Sequence, residues 1–204
     1  MPGIQRIASR AVALERRDVD TDQIIPAAWL KRVERTGFAA GLFGAWREDP
    51  DFVLNQPGAS EARILVGGSN FGCGSSREHA VWALQDFGFQ AVISPKLADI
   101  FRGNCISSGL VPVEADEETV ERVFAALAAD PAAQIVVDVA ERTLAVPAAG
   151  IAALFALDDF ARWRLLEGLD DIALTLRHAD SITAFETTRV PWLPEVTPKV
   201  SATG

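Results

Sequence analysis

The stretch that decides the reading is Ile64-Leu65-Val66 running into Gly67-Gly68-Ser69-Asn70-Phe71-Gly72-Cys73-Gly74-Ser75-Ser76-Arg77-Glu78-His79. The apolar triplet has the unbroken hydrophobicity of a strand buried on both faces. Gly67, Gly68, Gly72 and Gly74 mark a turn whose backbone can approach a ligand closely. Ser75, followed three residues later by Glu78, has the spacing of a capping box and predicts a helix start. Val81, Leu84 and Phe87 repeat at the helical period, and Gly88 is a natural stop. A helix start offers unpaired N–H groups and a partial positive charge, which suits an anion. Arg77 adds a forked donor matched to carboxylate or phosphate. No Lys follows the glycines, and their spacing fits neither a Walker loop nor GxGxxG. An ordinary capped helix accounts for the same residues about as well.

Outward from this stretch the chain alternates. Residues 4–14 read as a strand. Asp18, Asp20 and Asp22 then alternate with Val19 and Thr21, before Ile24-Ile25-Pro26 and a predicted helix from Ala27 to about Val33. If extended, that alternation puts three carboxylates on one side, and repulsion allows burial of only one. Thr36–Gly58, with Gly37, Gly41, Gly44, Pro50, Pro57 and Gly58, reads as a long irregular connection. Downstream, Ala91-Val92-Ile93 and Leu110–Val113 are predicted strands flanking a helix over Lys96–Asn104. The β-α-β-α-β order predicts a parallel sheet with right-handed crossovers. Asp116–Ala129 is an amphipathic helix, with Val120, Val123, Phe124 and Leu127 on one face. Ile135–Val139 and Thr143–Val146 read as a hairpin, and Leu157–Gly168 as a helix. One or two short helices are expected over Leu169–Glu186, and a poorly ordered, proline-bearing tail over 190–204.

Composition bounds the function. The chain has 204 residues, 49% apolar and 23% charged, enough for a sizeable core. Nineteen Lys and Arg against 28 Asp and Glu give a net charge of −9, which argues against nucleic-acid binding. Any site for an acidic substrate must then be locally basic. The uncharged stretch Ala145–Leu157 contains Pro147 and Gly150 and is too short to cross a bilayer. Charges at Arg6, Arg10 and Glu15 interrupt any apolar leader core, so no signal peptide and a cytoplasmic location are expected. Cys73 and Cys105 do not suggest a disulfide framework, and with His79 and His178 they match no zinc spacing. A Cys73–His79 nucleophile lacks an acidic orienter, so a small apolar Cys in a tight turn is the better account.

Several ordered motifs together carry a resemblance. They are Asp18-Val19-Asp20-Thr21-Asp22-x-Ile24-Ile25-Pro26, Trp29-Leu30-Lys31 followed by Arg35-Thr36-Gly37-Phe38, Asn70 through Ala80, Ser94-Pro95 with Ala98-Asp99-Ile100-Phe101 and Gly103-Asn104, and Gly168-Leu169-Asp170-x-Ile172-x-Leu174-Thr175-Leu176. On these, the chain resembles the small subunits of 3-isopropylmalate dehydratase, relatives of aconitase. The resemblance implies an α/β fold, a swivelling three-layer β/β/α domain like aconitase's C-terminal domain, here spanning residues 1–189. It implies a hydro-lyase of leucine biosynthesis that interconverts 2- and 3-isopropylmalate through 2-isopropylmaleate. It also implies a large-subunit partner carrying a [4Fe-4S] cluster; a cluster needs several thiolates, and two separated cysteines do not supply them.

By the same resemblance Ser75 is the catalytic base, Asp22 a catalytic aspartate, and Ser76 and Arg77 bind a substrate carboxylate. Gln23 stands where aconitase has a histidine. Trp29, Leu30, Ile24 and Ile25 are apolar candidates for the isopropyl group, and ordinary packing explains them equally well. No metal site is expected in this chain. The alternatives are a related lyase subunit for homoaconitate or citraconate, and a non-catalytic swivelling module.

Overall fold

The computed structural model describes residues 1–32 and 36–190. Seven strands form one sheet in the order β4-β3-β2-β1-β5-β6-β7. β1 is Arg6–Leu14, β2 Ile64–Gly67, β3 Ala91–Ser94 and β4 Val111–Glu114; β5 is Gln134–Asp138, β6 Thr143–Val146 and β7 Ile151–Leu154. β1 to β4 pair in parallel, with Ala11 facing Ile64 and Leu14 facing Gly67. β5 pairs with β1 antiparallel, and β6 and β7 continue as a meander. The parallel α/β half is the one expected from the alternating order of elements. β7 is an addition: the sequence pattern ends the sheet at β6.

The sheet separates two cores. Ile64, Leu65 and Val66 of β2 are fully buried and point alternately into both. Each contributes about 1.5–3 kcal/mol through burial. On one side, α2 (Glu78–Phe87) and α3 (Asp99–Ser108) pack with Val12, Leu14, Leu65 and Val92. On the other, α4 (Glu117–Ala129) and α5 (Asp159–Glu167) cover Ile7, Ile64, Val66 and Ile93. The connection from 36 to 62 is irregular, as expected, but not loose. It winds through 3-10 turns at Phe38–Gly41, Trp46–Glu48, Val53–Asn55 and Ala59–Glu61, pinned by an aromatic trio of Phe43, Trp46 and Phe52.

Two expectations are corrected. Residues 27–31 form a 3-10 helix rather than an α-helix, and Val33 lies outside the described residues. The capping box at Ser75–Glu78 does not form. α2 begins at Glu78, and its N-cap is Arg77, in extended conformation and without a side-chain cap bond. The capping box belongs instead to α1 (Thr21–Ile24), where Asp20 accepts from the Gln23 N–H and the Gln23 side chain accepts from the Asp20 N–H.

Residues 1–170 form one compact unit, and a second begins at Asp171. In the second, α6 (Asp171–Leu176) and α7 (Ala179–Thr188) are joined through Arg177 and His178. The expected tail, apart from Val190, lies outside the described residues. Among the described residues no helix is long and apolar enough to cross a membrane.

Candidate active site

The glycine-rich segment extends the parallel sheet past the carboxyl ends of its strands, where open α/β sheets place their ligands. It is held between two ribbons of backbone. On one side Asp18 N–H donates to the Ser69 carbonyl, at 2.9 Å. On the same side Gly72 and Cys73 N–H donate to the Val19 carbonyl, at 2.7 and 3.2 Å, and Thr21 N–H donates to the Cys73 carbonyl. On the other side Phe71 N–H donates to the Lys96 carbonyl at 3.0 Å, and Ala98 N–H to the Phe71 carbonyl at 2.9 Å. Only glycine suits two of the positions. Gly72 has φ +77, and a Cβ there would meet Phe101 at 2.2 Å; at Gly68 it would meet the Arg16 carbonyl at 2.5 Å.

Ser75 and Ser76 lie at the exposed end of this segment. The buried Thr21 hydroxyl donates to the Ser75 carbonyl at 3.0 Å, so α1 fixes the backbone that carries the serines. Neither serine hydroxyl has a partner among the described residues. Arg77 follows, its side chain 17% exposed, and its guanidinium pairs with Asp22 in the first turn of α1. The structure therefore brings Asp22, Ser75, Ser76 and Arg77 together across 55 residues of chain.

The three aspartates do not share one face. Asp18 takes φ +53, which ends the extended alternation, and accepts from the Asn70 side chain at 2.8 Å. Asp20 caps α1, and only Asp22 reaches Arg77; none is buried, against the expectation of one. Gln23 closes the capping box with Asp20. Ile24 and Ile25 are fully buried in the core. Trp29 and Leu30 are half-buried; Trp29 packs against Phe38, and the Arg32 guanidinium lies 5.1 Å above its ring. The His79 ring meets Phe38 edge-on and Trp82 at a tilt, with ring centroids 5.4 and 4.7 Å apart. Thr21 and Asn70 were not singled out by sequence. Their signal was weak: each is one polar residue inside a motif whose other members drew attention.

The cysteines do not supply an activated thiolate. Burial pushes the half-buried Cys73 thiol up, and the Asp20 and Asp18 charges push it further. Cys105 is fully buried in α3 and lies well above the ordinary thiol range. Iodoacetamide at neutral pH should modify Cys73 slowly, at a rate rising with pH, and Cys105 only on unfolding; mass spectrometry of the labelled protein checks this. Rapid labelling of Cys73 at neutral pH would instead mark a nucleophile. Among the described residues no three His, Cys, Asp or Glu side chains are grouped to hold a metal. With one thiol in the turn and one sealed in the core, this chain's donors do not fit an iron–sulfur cluster.

The family profile described as the aconitase C-terminal domain matches residues 1–118. A second profile, for the C-terminal domain of the 3-isopropylmalate dehydratase small subunit, matches residues 171–196. A 3-isopropylmalate dehydratase small subunit of Frankia alni is 63% identical over 185 residues, 91% of this chain and 94% of that protein. Its counterpart in Rubrobacter xylanophilus is 53% identical over 196 residues, 96% of this chain and all of that protein. A solved structure of 3-isopropylmalate dehydratase from Methanocaldococcus jannaschii matches with TM-score 0.68 and 27% identity, covering 88% of this chain and 99% of that one. The fold, the turn between its two ribbons and these relatives agree: the chain belongs to the 3-isopropylmalate dehydratase small-subunit family, whose main unit is an aconitase-type C-terminal domain.

Proposed function

We propose that Ser75, Ser76, Arg77 and Asp22 are this chain's share of a composite active site for a small dicarboxylate. The chain is the small subunit of a hydro-lyase of leucine biosynthesis, which interconverts 2- and 3-isopropylmalate by loss and return of water. The observation that carries the site reading is the Arg77–Asp22 pair directly following two exposed serines whose hydroxyls have no partner among the described residues. Asp22 takes one corner of the guanidinium fork. The other edge remains for a substrate carboxylate, which two parallel hydrogen bonds hold in one orientation. Ser76 adds a donor to that carboxylate, and Ser75 moves the proton on the neighbouring carbon. A serine hydroxyl is a weak base. Its alkoxide needs donors converging on it in a water-poor site, and the large subunit supplies the closure that an exposed loop lacks.

In this reading an iron–sulfur cluster would be held by the large subunit and would supply a Lewis acid for the departing hydroxyl. Trp29 and Leu30 face the isopropyl group, and Ile24 and Ile25 belong to the buried cluster against which Trp29 packs. The proposal places the pair in a reducing cytoplasm, in keeping with two free thiols.

Arg77→Lys in the reconstituted enzyme tests the site. Lysine keeps the charge but loses the fork, so KM for isopropylmalate should rise by about one to two decades, the cost of roughly 1.5–3 kcal/mol. Unchanged steady-state kinetics would place Arg77 outside the site.

A further inference from the structure

The ribbon on the far side of the glycine-rich segment has an anchor of its own. Glu114 ends β4 with a side chain only 15% exposed. Its Oε1 accepts from the Leu97 N–H at 2.9 Å and lies 3.5 Å from Lys96 Nζ, while Oε2 lies 3.9 Å from Arg102 Nε. Ser94, fully buried at the end of β3, works from below. Its hydroxyl lies 2.8 Å from the carbonyls of both Gly68 and Lys96, sharing one proton between them, and accepts from the Lys96 N–H at 3.2 Å. Residues 96–98 in turn form the bridge to Phe71. The place of Phe71 fixes where the chain turns through Gly72 and Gly74 to reach Ser75.

We infer that Glu114, with Ser94, is a positioning residue for the dehydratase reaction: it fixes residues 96–98, and through Phe71 it sets where the Ser75 hydroxyl stands. The inference rests on Ser75 being the proton-handling group. A largely buried carboxylate spent on a main-chain N–H is costly unless the bond and its flanking cations are kept together. Here they hold the one side of the turn that α1 does not touch. From the opposite ribbon, Asp22 holds the Arg77 guanidinium itself, whereas Thr21 holds Ser75 only at its carbonyl. Loosening 96–98 should therefore leave the guanidinium in place and let the Ser75 hydroxyl shift.

The test uses the enzyme reconstituted with its large subunit, and isopropylmalate as substrate. Glu114→Met keeps the length but removes the acceptor. Its kcat should fall by about ten- to a hundredfold, the penalty for misplacing a reacting group by an ångström or so, with KM changed by less than about threefold. Glu114→Gln keeps an acceptor for the Leu97 N–H and should restore most of the rate. The amides of Phe71 and Ala98 should exchange hydrogen faster in the Met variant than in the Gln variant. Should Glu114→Met fail to fold, Ser94→Ala carries the same expectations. Wild-type kcat in Glu114→Met, an equal loss in Glu114→Gln, or KM rising in step with the fall in kcat would overturn the inference. Ser75→Ala is assayed alongside. Full activity there would overturn the role of Ser75 instead, and faster amide exchange would still report whether Glu114 anchors the turn.

Discussion

Ser75→Ala in the assembled enzyme should lower turnover by about two to four decades, the usual loss on removing a general base. Its melting temperature and its assembly with the large subunit should stay near those of the wild type. The structure sharpens this contrast. A serine before a helix commonly caps it, and losing a cap costs about 1 kcal/mol. Here the N-cap is Arg77, and among the described residues Ser75 serves the fold only through its carbonyl, which alanine retains. Its hydroxyl is exposed and has no partner among the described residues, so the fold gains nothing from it. Isomerisation of 2-isopropylmalate and melting, measured on one anaerobic sample, check both halves. Turnover within a few-fold of wild type would remove Ser75 from the chemistry, and Asp22 would be the next group to substitute.

The isolated chain should show no turnover and no iron–sulfur absorption after anaerobic treatment with iron and sulfide. Both should appear on mixing with the large subunit. Two features give this expectation its size. Cys105 is sealed in the core and Cys73 stands in the turn, so this chain offers no set of thiolates. The Ser75 hydroxyl meets open water, where nothing lowers the cost of its alkoxide. Turnover or a cluster spectrum from this chain alone would end the composite-site reading.

Much of this was legible in the sequence because the decisive elements are local. Ile64-Leu65-Val66 followed by glycines is a strand and a turn in any context, and Val81, Leu84 and Phe87 declare a helix by spacing alone. What was misread depended on partners distant in the chain. Ser75 and Glu78 have capping-box spacing, but the Thr21–Ser75 bond draws the chain away and hands the N-cap to Arg77. The alternation of Asp18, Asp20 and Asp22 presumes an extended chain, and the positive φ of Asp18 breaks it. β7 escaped because only Ile151 among its four residues is fully buried, which leaves no alternating signature. Glu114 gave no sign, and Ser94 showed only as one member of the Ser94-Pro95 motif, since their work is on main-chain groups of other segments.

The placement of β1 bears on how the chain is made. It is the seam of the sheet, parallel to β2 on one edge and antiparallel to β5 on the other. During synthesis the ribosome delivers β1 first and β5 only when most of the chain has emerged. Until then one edge of β1 stays open, with unpaired N–H and C=O groups that invite pairing with another nascent chain. Arg6 and Arg10, which will face Asp138 and Gln134 of β5, put charge at both ends of that edge. Charges so placed act as gatekeepers against aggregation while the strand waits for its last partner.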